Sequence, residues 1–376
     1  MEINNKKCTV CHLVSGDLWA GAEVMAFHLI RTMADSNSIS VSAIIFNNGR
    51  LADELKNAGV DVTVFEESRY SFPVLVYKVF RKLRSKKIDL IHSHRQKENI
   101  LALIVSVLLR NTGLVSTLHG MPENPSTKLT IHSIIRKLNF FLLSRFFSCT
   151  VAVSNDIRDI LINRGFSKRK IITIHNGIPL PSFDTDSKKD TSRSFTIGTA
   201  GRLVPVKDFG LFIDIAFFLR NHQNIHFLLA GDGPLEQDLR CKVSELGLNN
   251  FSFSGKIDDM NLFYKQIDIF MNTSIHEGIP MTILEAMSRG IPVIAPCVGG
   301  LPEIIENGVD GFLIQKRNLM HYAGKSMLLS NDLAVYQIMA QAAQEKIKKR
   351  FSVSIMTQSY IGVYLEISGC SKSIIR

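Results

Sequence analysis

His276-Glu277-Gly278-Ile279-Pro280-Met281-Thr282-Ile283-Leu284-Glu285-Ala286-Met287-Ser288-Arg289-Gly290-Ile291-Pro292-Val293-Ile294-Ala295 begins just after one apolar run, Ile267 to Asn272, and ends inside another, Val293 to Ala295. Between the two runs, Thr282 to Ser288 has the spacing of a short helix. Pro280 suits its first position and Gly278 a tight turn before it. A strand, a helix and a second strand within about thirty residues make a crossover unit, which joins parallel strands.

The same alternation extends to both ends of the chain. Before the quoted stretch, strand patterns fall at Phe195 to Ala200, Phe227 to Ala230 and Phe251 to Ser254, and after it at Phe312 to Ile314. A first series comprises Thr9 to Val14, Val41 to Phe46, Asp61 to Phe65, Leu90 to His94, Leu114 to His119, Thr150 to Ser154 and Ile171 to His175. Helical patterns separate them, as at Ala22 to Ala34, Asp156 to Asn163 and Gly210 to Arg220. Residues 181–194 are polar and without period, and read as a linker. The expected fold is α/β, with two doubly wound Rossmann-like domains, 1–180 and 195–376. The mostly helical end, 333–367, is free to pack back onto the first domain. In such sheets ligands bind beyond the carboxyl ends of the strands.

The 376 residues are 45% hydrophobic and 21% charged, which excludes collagenous, coiled-coil and wholly disordered classes. Six scattered cysteines do not make a disulfide framework, and Cys8 and Cys11 sit in an apolar strand pattern as buried thiols. The N-terminus lacks the pattern of a signal peptide, and the longest apolar run, Ile100 to Leu109, is half a membrane span. A cytoplasmic protein is expected. Of the net charge of +10, residues 1–190 carry +9 (26 Lys and Arg against 17 Asp and Glu), so an acidic partner would meet the first half.

Glu277 and Glu285 flank the start of the short helix. Carboxylates accept hydrogen bonds from sugar hydroxyls, and the unpaired N–H groups around Ile279 to Thr282 suit a phosphate. Arg202 ends a strand and can fork onto phosphate oxygens, while Lys207 adds a flexible point charge. Glu277-x7-Glu285, followed by Gly290-x-Pro292-Val293, resembles the signature of glycosyltransferase family 4, retaining enzymes of the GT-B fold. Gly201-Arg202-Leu203-x3-Lys207-Asp208, Gly231-Asp232-Gly233-Pro234 and Phe253-x-Gly255-x-Ile257 resemble further elements of that family, in order.

The resemblance implies two Rossmann-like domains facing each other across a cleft, with a nucleotide diphosphate sugar as co-substrate and no metal or other cofactor. It implies a catalytic set of His119, Arg202, Lys207 and Glu277. Glu277 would hold the donor sugar and Glu285 the ribose, with Arg202 and Lys207 on the diphosphate. The donor-contacting set adds Gly16, Gly21, Gly201, Gly255, Ile257, Gly278, Ile279, Pro280, Met281 and Thr282. Ser15 to Glu23 resembles the family's N-terminal glycine loop, with Ala20 in place of its first glycine. Gly16-x4-Gly21 echoes a P-loop, but Ala22-Glu23 stands where Lys-Ser/Thr is required. His119-Gly120 matches a family histidine beside the donor sugar. His92 and His94 share a strand face, but no third metal ligand is identifiable from sequence.

Lys78 to Lys87 is dense in positive charge, with Val76, Val79, Phe80 and Leu83 at helical spacing, and a second basic stretch runs from Lys128 to Phe147. Two readings stand for such helices, a solvated face over a core-facing stripe and contact with an anionic membrane. The second would make the protein peripheral at the inner face of the plasma membrane. Nucleic acid is not an expected partner, since no recognised module accompanies the charge. The expected activity is retaining transfer of a hexose-type sugar, UDP-linked, to a saccharide or lipid-linked acceptor in surface polysaccharide synthesis. The alternatives are a nucleotide-sugar 2-epimerase of the same fold and a non-catalytic nucleotide-sugar-binding partner. A nicotinamide oxidoreductase is disfavoured because Pro234 follows Gly231-x-Gly233.

Overall fold

The computed structural model describes residues 7–17, 19–120, 131–181 and 194–369, so the linker reading at 181–194 lies outside them but for its two end residues. The described residues form two compact units. One comprises the chain up to Pro179 together with the chain from Val353 onward, and the other is Leu180–Ser352.

In the first unit seven strands follow in order: β1 (Cys8–Ser15), β2 (Ile39–Phe46), β3 (Asp61–Phe65), β4 (Leu90–Ser93), β5 (Gly113–Leu118), β6 (Cys149–Ala152) and β7 (Ile171–Thr173). They lie side by side as β3-β2-β1-β4-β5-β6-β7, every pair parallel. The second unit has β8 (Phe195–Ala200), β9 (Ile225–Ala230), β10 (Phe251–Gly255), β11 (Ile269–Met271), β12 (Val293–Pro296) and β13 (Gly311–Ile314). Their order is β10-β9-β8-β11-β12-β13, again all parallel. All thirteen strand patterns read from sequence are strands, with His94 and His119 just past their ends.

Helices cover both faces of such a sheet, which is why its central strands read as apolar runs rather than as alternations. On β2, Ile44 and Phe46 pack with Leu13 and Ile91 on one face. Ala43 and Ile45 pack with Val14, Ala26 and Ile30 on the other. Each Leu, Ile or Phe so buried contributes about 1.5–3 kcal/mol. Cys8 and Cys11 are buried thiols outside any disulfide, and burial pushes Cys11 up to about 12.

The C-terminal segment is two helices, Leu333–Arg350 and Val353–Ile367. The second buries Met356, Tyr360, Ile361 and Tyr364 in the first unit, and Val353 N donates to Ile178 O at 2.8 Å. The second unit therefore ends at Ser352 rather than at residue 376.

The basic helix Phe72–Arg84 buries Leu75, Val76, Val79 and Leu83. Its apolar stripe faces the core, and the charge of Lys78 to Lys87 is the solvent side of that helix and its end.

Loops after β8, β9 and β10 are pinned backbone to backbone. Gly231 has φ +135°, and a Cβ there would stand 1.9 Å from the carbonyl oxygen of Gly201. At Gly233, with φ +151°, it would stand 2.7 Å from Leu203 N. The contacts are hydrogen bonds from Gly201 N to Ala230 O (3.0 Å), Leu203 N to Asp232 O (2.7 Å) and Gly231 N to Gly255 O (2.8 Å). Gly231→Ala should cost roughly 3 kcal/mol or more, combining backbone strain with a clash against main chain. Gly247→Ala, also at positive φ but with nothing within 4 Å, should cost only about 1 kcal/mol. Urea denaturation of the two variants side by side measures the difference, and equal midpoints would refute the close-approach explanation.

Candidate active site

Each sheet has one place where the strand order reverses, β1 beside β4 in the first unit and β8 beside β11 in the second. Loops leaving such neighbours diverge to opposite faces and leave a crevice at the carboxyl ends. The loop after β8 carries Arg202 and Lys207, and the loop after β11 carries Glu277, so the second switch point brings the sequence-derived residues together.

Lys207 Nζ lies 2.6 Å from Glu277 Oε1. The same oxygen accepts from Ser274 Oγ at 2.6 Å and from Asn272 Nδ2 at 3.3 Å. Glu277 is nearly buried, at 9% exposure, and three donors converge on one of its oxygens. Hydrogen bonds to main-chain carbonyls lace the two loops together, from Ile275 N to Val206 O (2.8 Å) and from Thr273 Oγ1 to Lys207 O (3.1 Å). Gly299 closes the far side: at φ +53°, a Cβ there would stand 1.9 Å from Glu277 O, to which Gly300 N donates at 3.1 Å. Arg202 is exposed, and its guanidinium has no hydrogen bond or ion pair among the described residues.

The helix Met281–Ser288 begins one residue later than Pro280 at its first turn would require. Pro280 is the N-cap, in extended conformation, and no side chain caps this helix start. The N–H groups of Met281 and Thr282 thus point at an end suited to an anion. The chain bends at Gly278 and Ile279 without a positive φ at Gly278, and the left-handed glycine against Glu277 is Gly299.

Glu285 lies on the same helix, where Tyr264 Oη donates to its Oε2 at 2.8 Å and to Thr282 O at 3.2 Å. Burial raises the Glu285 carboxyl, and it pushes the Tyr264 hydroxyl well above its usual range, with the neighbouring carboxylate adding to the effect. Gly255 has φ +66° in open space and turns its carbonyl to Gly231 N, while Ile257 is half-buried beyond β10. Gly201 leaves room for the Lys207 stem, since a Cβ on it would stand 3.9 Å from Lys207 Cε.

At the first switch point, Gly16 is packed rather than presented: a Cβ would stand 2.6 Å from Asn47 O. Gly21 opens the helix Gly21–Ala34, in which Glu23 is fully buried and pairs with Arg95 from the loop after β4. Burial raises the Glu23 carboxyl, and Arg95 opposes that. Arg95 also lies 3.8 Å from Asp17, and Ser15 Oγ donates to the buried Glu98. Arg95 and Glu98 were not singled out in the sequence, where Arg95-Gln-Lys-Glu98 looks like any polar helix start.

His119 follows β5, and its Nε2 lies 3.1 Å from Nδ1 of His94. His92 and His94 do have a third histidine beside them, contrary to the sequence reading. His12 on β1 places donor atoms within 4.8 Å of theirs. It was missed because a histidine inside an apolar strand pattern reads as core. The ring nitrogens of the three are engaged with one another and with neighbouring hydroxyls.

Residues 19–181 match the family model described as Glycosyltransferase Family 4, and residues 183–346 that of Glycosyl transferases group 1. The chain is 26% identical over 307 residues to the UDP-Gal:alpha-D-GlcNAc-diphosphoundecaprenol alpha-1,3-galactosyltransferase of Escherichia coli, covering 77% of this chain and 78% of that protein. It is 24% identical over 372 residues to the N,N'-diacetylbacillosaminyl-diphospho-undecaprenol alpha-1,3-N-acetylgalactosaminyltransferase of Campylobacter jejuni, covering 92% and 96%. Among solved structures, HepE of Anabaena in complex with UDP superposes with a TM-score of 0.82 at 25% identity, covering 95% of this chain and all of that one.

Lys207→Met, Glu277→Gln and the double variant form a cycle for the central pair. The coupling should be about 1–2 kcal/mol in denaturation free energy, because the acceptor is nearly buried and the bond is charge-assisted. A cycle that closes at zero would show that water has already replaced the pair.

Proposed function

Since this chain belongs to the glycosyltransferases of family 4 and group 1, with the GT-B fold, we propose that it transfers a hexose-type sugar, with retention, from a UDP-linked donor to a lipid-linked or other saccharide acceptor. The observation that carries this reading is the Lys207–Glu277 pair at the second sheet's switch point, beside the exposed Arg202 and an uncapped helix start. The names of the relatives support the acceptor class, which is a diphosphoundecaprenol-linked glycan in both bacterial transferases. The HepE complexes with UDP and with UDP-glucose support the donor.

In this reading Lys207 leaves Glu277 for the diphosphate when donor binds. Glu277, still held by Ser274 and Asn272, takes up sugar hydroxyls. Arg202, Lys207 and the N–H groups at 281 and 282 bind the charge that grows on the departing nucleoside diphosphate. The bond from the anomeric carbon to phosphate oxygen breaks and the bond to the acceptor oxygen forms on the same face. The acceptor's proton passes to the leaving phosphate. Glu285 holds the ribose, its second oxygen oriented by Tyr264, and Gly255 and Ile257 lie against the base. His119 takes the role that the resemblance implies for it, beside the donor sugar.

We place membrane contact on the helix Ile131–Phe146 rather than on Lys78 to Lys87. Ile134, Leu138, Phe141 and Phe146 are exposed there among Arg136, Lys137 and Arg145. Among the described residues no helix is long and apolar enough to cross a membrane, so this contact would be peripheral.

A thermal-shift screen of nucleotide sugars, followed by transfer assays with the donor that stabilises, tests the activity. Lys207→Ala should lower kcat by about 10²–10³-fold. Donor turnover without acceptor would assign an epimerase instead, and a Lys207→Ala variant with unchanged kcat would remove the catalytic role of this lysine. For the membrane face, Ile134→Glu with Phe141→Glu should abolish cosedimentation with anionic vesicles, whereas Lys82→Gln with Lys86→Gln should leave most of it. The reverse pattern would return the contact to the earlier helix.

A further inference from the structure

Seven side chains of the first unit form one unbranched line of hydrogen bonds. From Tyr360 Oη it runs to Thr117 Oγ1 (2.9 Å) and on to His92 Nε2 (2.8 Å). His92 Nδ1 meets Tyr364 Oη (2.5 Å), which meets His12 Nε2 (3.5 Å). His12 Nδ1 meets His94 Nε2 (3.1 Å), and His94 Nδ1 meets His119 Nε2 (3.1 Å). Nδ1 of His119 is buried and has no partner among the described residues. Tyr360, Thr117, His92, Tyr364, His12 and His94 are all at most 4% exposed.

Burial keeps all four imidazoles neutral, holding His12 down at about 3, His119 at about 4, and His92 and His94 well below their usual range. The nearby Arg95 adds to this for His94 and His119. A neutral imidazole has one N–H and one acceptor nitrogen, and each hydroxyl has one proton. Seven donors therefore serve six bonds and one proton is left over; an imidazole cannot accept at both nitrogens while a hydroxyl oxygen can accept twice, so the surplus proton belongs to Tyr360, Thr117, Tyr364 or Nδ1 of His119.

In the first three arrangements a fully buried hydroxyl proton has no acceptor among the described residues, at a cost of about 1–3 kcal/mol, and Nδ1 of His119 is an unpaired acceptor besides. In the fourth the line runs from Tyr360 throughout, and the one surplus donor is the N–H at Nδ1 of His119.

We propose that Tyr360, Thr117, His92, Tyr364, His12 and His94 are positioning residues that fix His119 as the Nδ1–H tautomer, making it a hydrogen-bond donor to a substrate oxygen. This rests on the reading of His119 as part of the transferase site, but the tautomer itself is measurable without substrate. A histidine that donates selects a hydroxyl or phosphate oxygen. It cannot serve as a general base at Nδ1, which leaves proton acceptance to another group.

The test is long-range ¹H–¹⁵N correlation of the ring nitrogens in histidine-labelled protein, with His119 assigned from its loss in His119→Gln. The expected spectrum has His119 protonated at Nδ1. In Thr117→Val, which leaves an imidazole nitrogen rather than a hydroxyl at that end of the line, His119 should become a mixture of tautomers. The kcat of this variant should fall about fivefold to tenfold with KM for the donor nearly unchanged. Tyr364→Phe keeps the ring, cuts the line at a later link and serves if Thr117→Val does not fold, and Thr117→Ser should restore both the spectrum and the rate. Wild-type His119 protonated at Nε2, a spectrum indifferent to Thr117→Val and Tyr364→Phe, or stoichiometric zinc on the histidines would each overturn the proposal.

Discussion

Parallel strands impose the constraint on which everything else in this protein depends. Their crossovers must return over one face or the other, and where consecutive crossovers choose opposite faces, two neighbouring strands release their loops in opposite directions. Nothing in the backbone fills that gap. In the second unit the gap lies between β8 and β11, and it holds Lys207 and Glu277. In the first it lies between β1 and β4, and it holds the pair of Glu23 and Arg95. The glycines at 231, 233 and 299 make the second gap rigid, because each lets one loop's backbone touch another's.

The two units manage buried polar groups by different physics. In the second, a carboxylate is met by donors: three converge on one oxygen of Glu277, and one of them is the Lys207 ammonium. In the first, four imidazoles lie together with no carboxylate bonded to them among the described residues, and burial removes their charge. Neutral histidines are tolerated in a core only when every nitrogen has its role settled. The hydroxyls of Thr117, Tyr360 and Tyr364 settle them here, and two of those come from the C-terminal helix Val353–Ile367. That helix is part of the first unit's polar core as well as of its apolar one.

The sheets were legible because central parallel strands are apolar on both faces, and short runs of Ile, Val, Leu and Phe separated by helical spacing have few other readings. Lys207, Glu277 and Glu285 were legible because their spacing is tied to strand ends. Residues whose importance arises only from folding were not. His12 looks like one more core position until β4 and β5 bring three histidines to it, and Tyr264 gives no local sign that it will reach Glu285 from twenty-one residues away. Gly299 shows the same limit: it is far from Glu277 along the chain, and only the folded backbone, where a Cβ would clash with the Glu277 carbonyl, makes it a necessary glycine.

The uneven charge of the chain has a physical reading only once apolar exposure is known. Phe72–Arg84 and Ile131–Phe146 have similar compositions, basic residues interleaved with large apolar ones, and sequence periodicity gives both an apolar stripe. On the first helix that stripe is covered, with Leu75, Val79 and Leu83 at most 1% exposed, and the large apolar side chains left exposed are Val74 and Tyr77 in its first half. On the second, Leu143 is buried while Phe141 and Phe146 stay more than half exposed beside Arg145. Electrostatic attraction to an acidic surface decays within about 10 Å at moderate salt, whereas inserted aromatic rings hold a protein where the charge has brought it. Basic charge and apolar exposure therefore coincide over several turns of the second helix, whereas the first covers most of its apolar stripe.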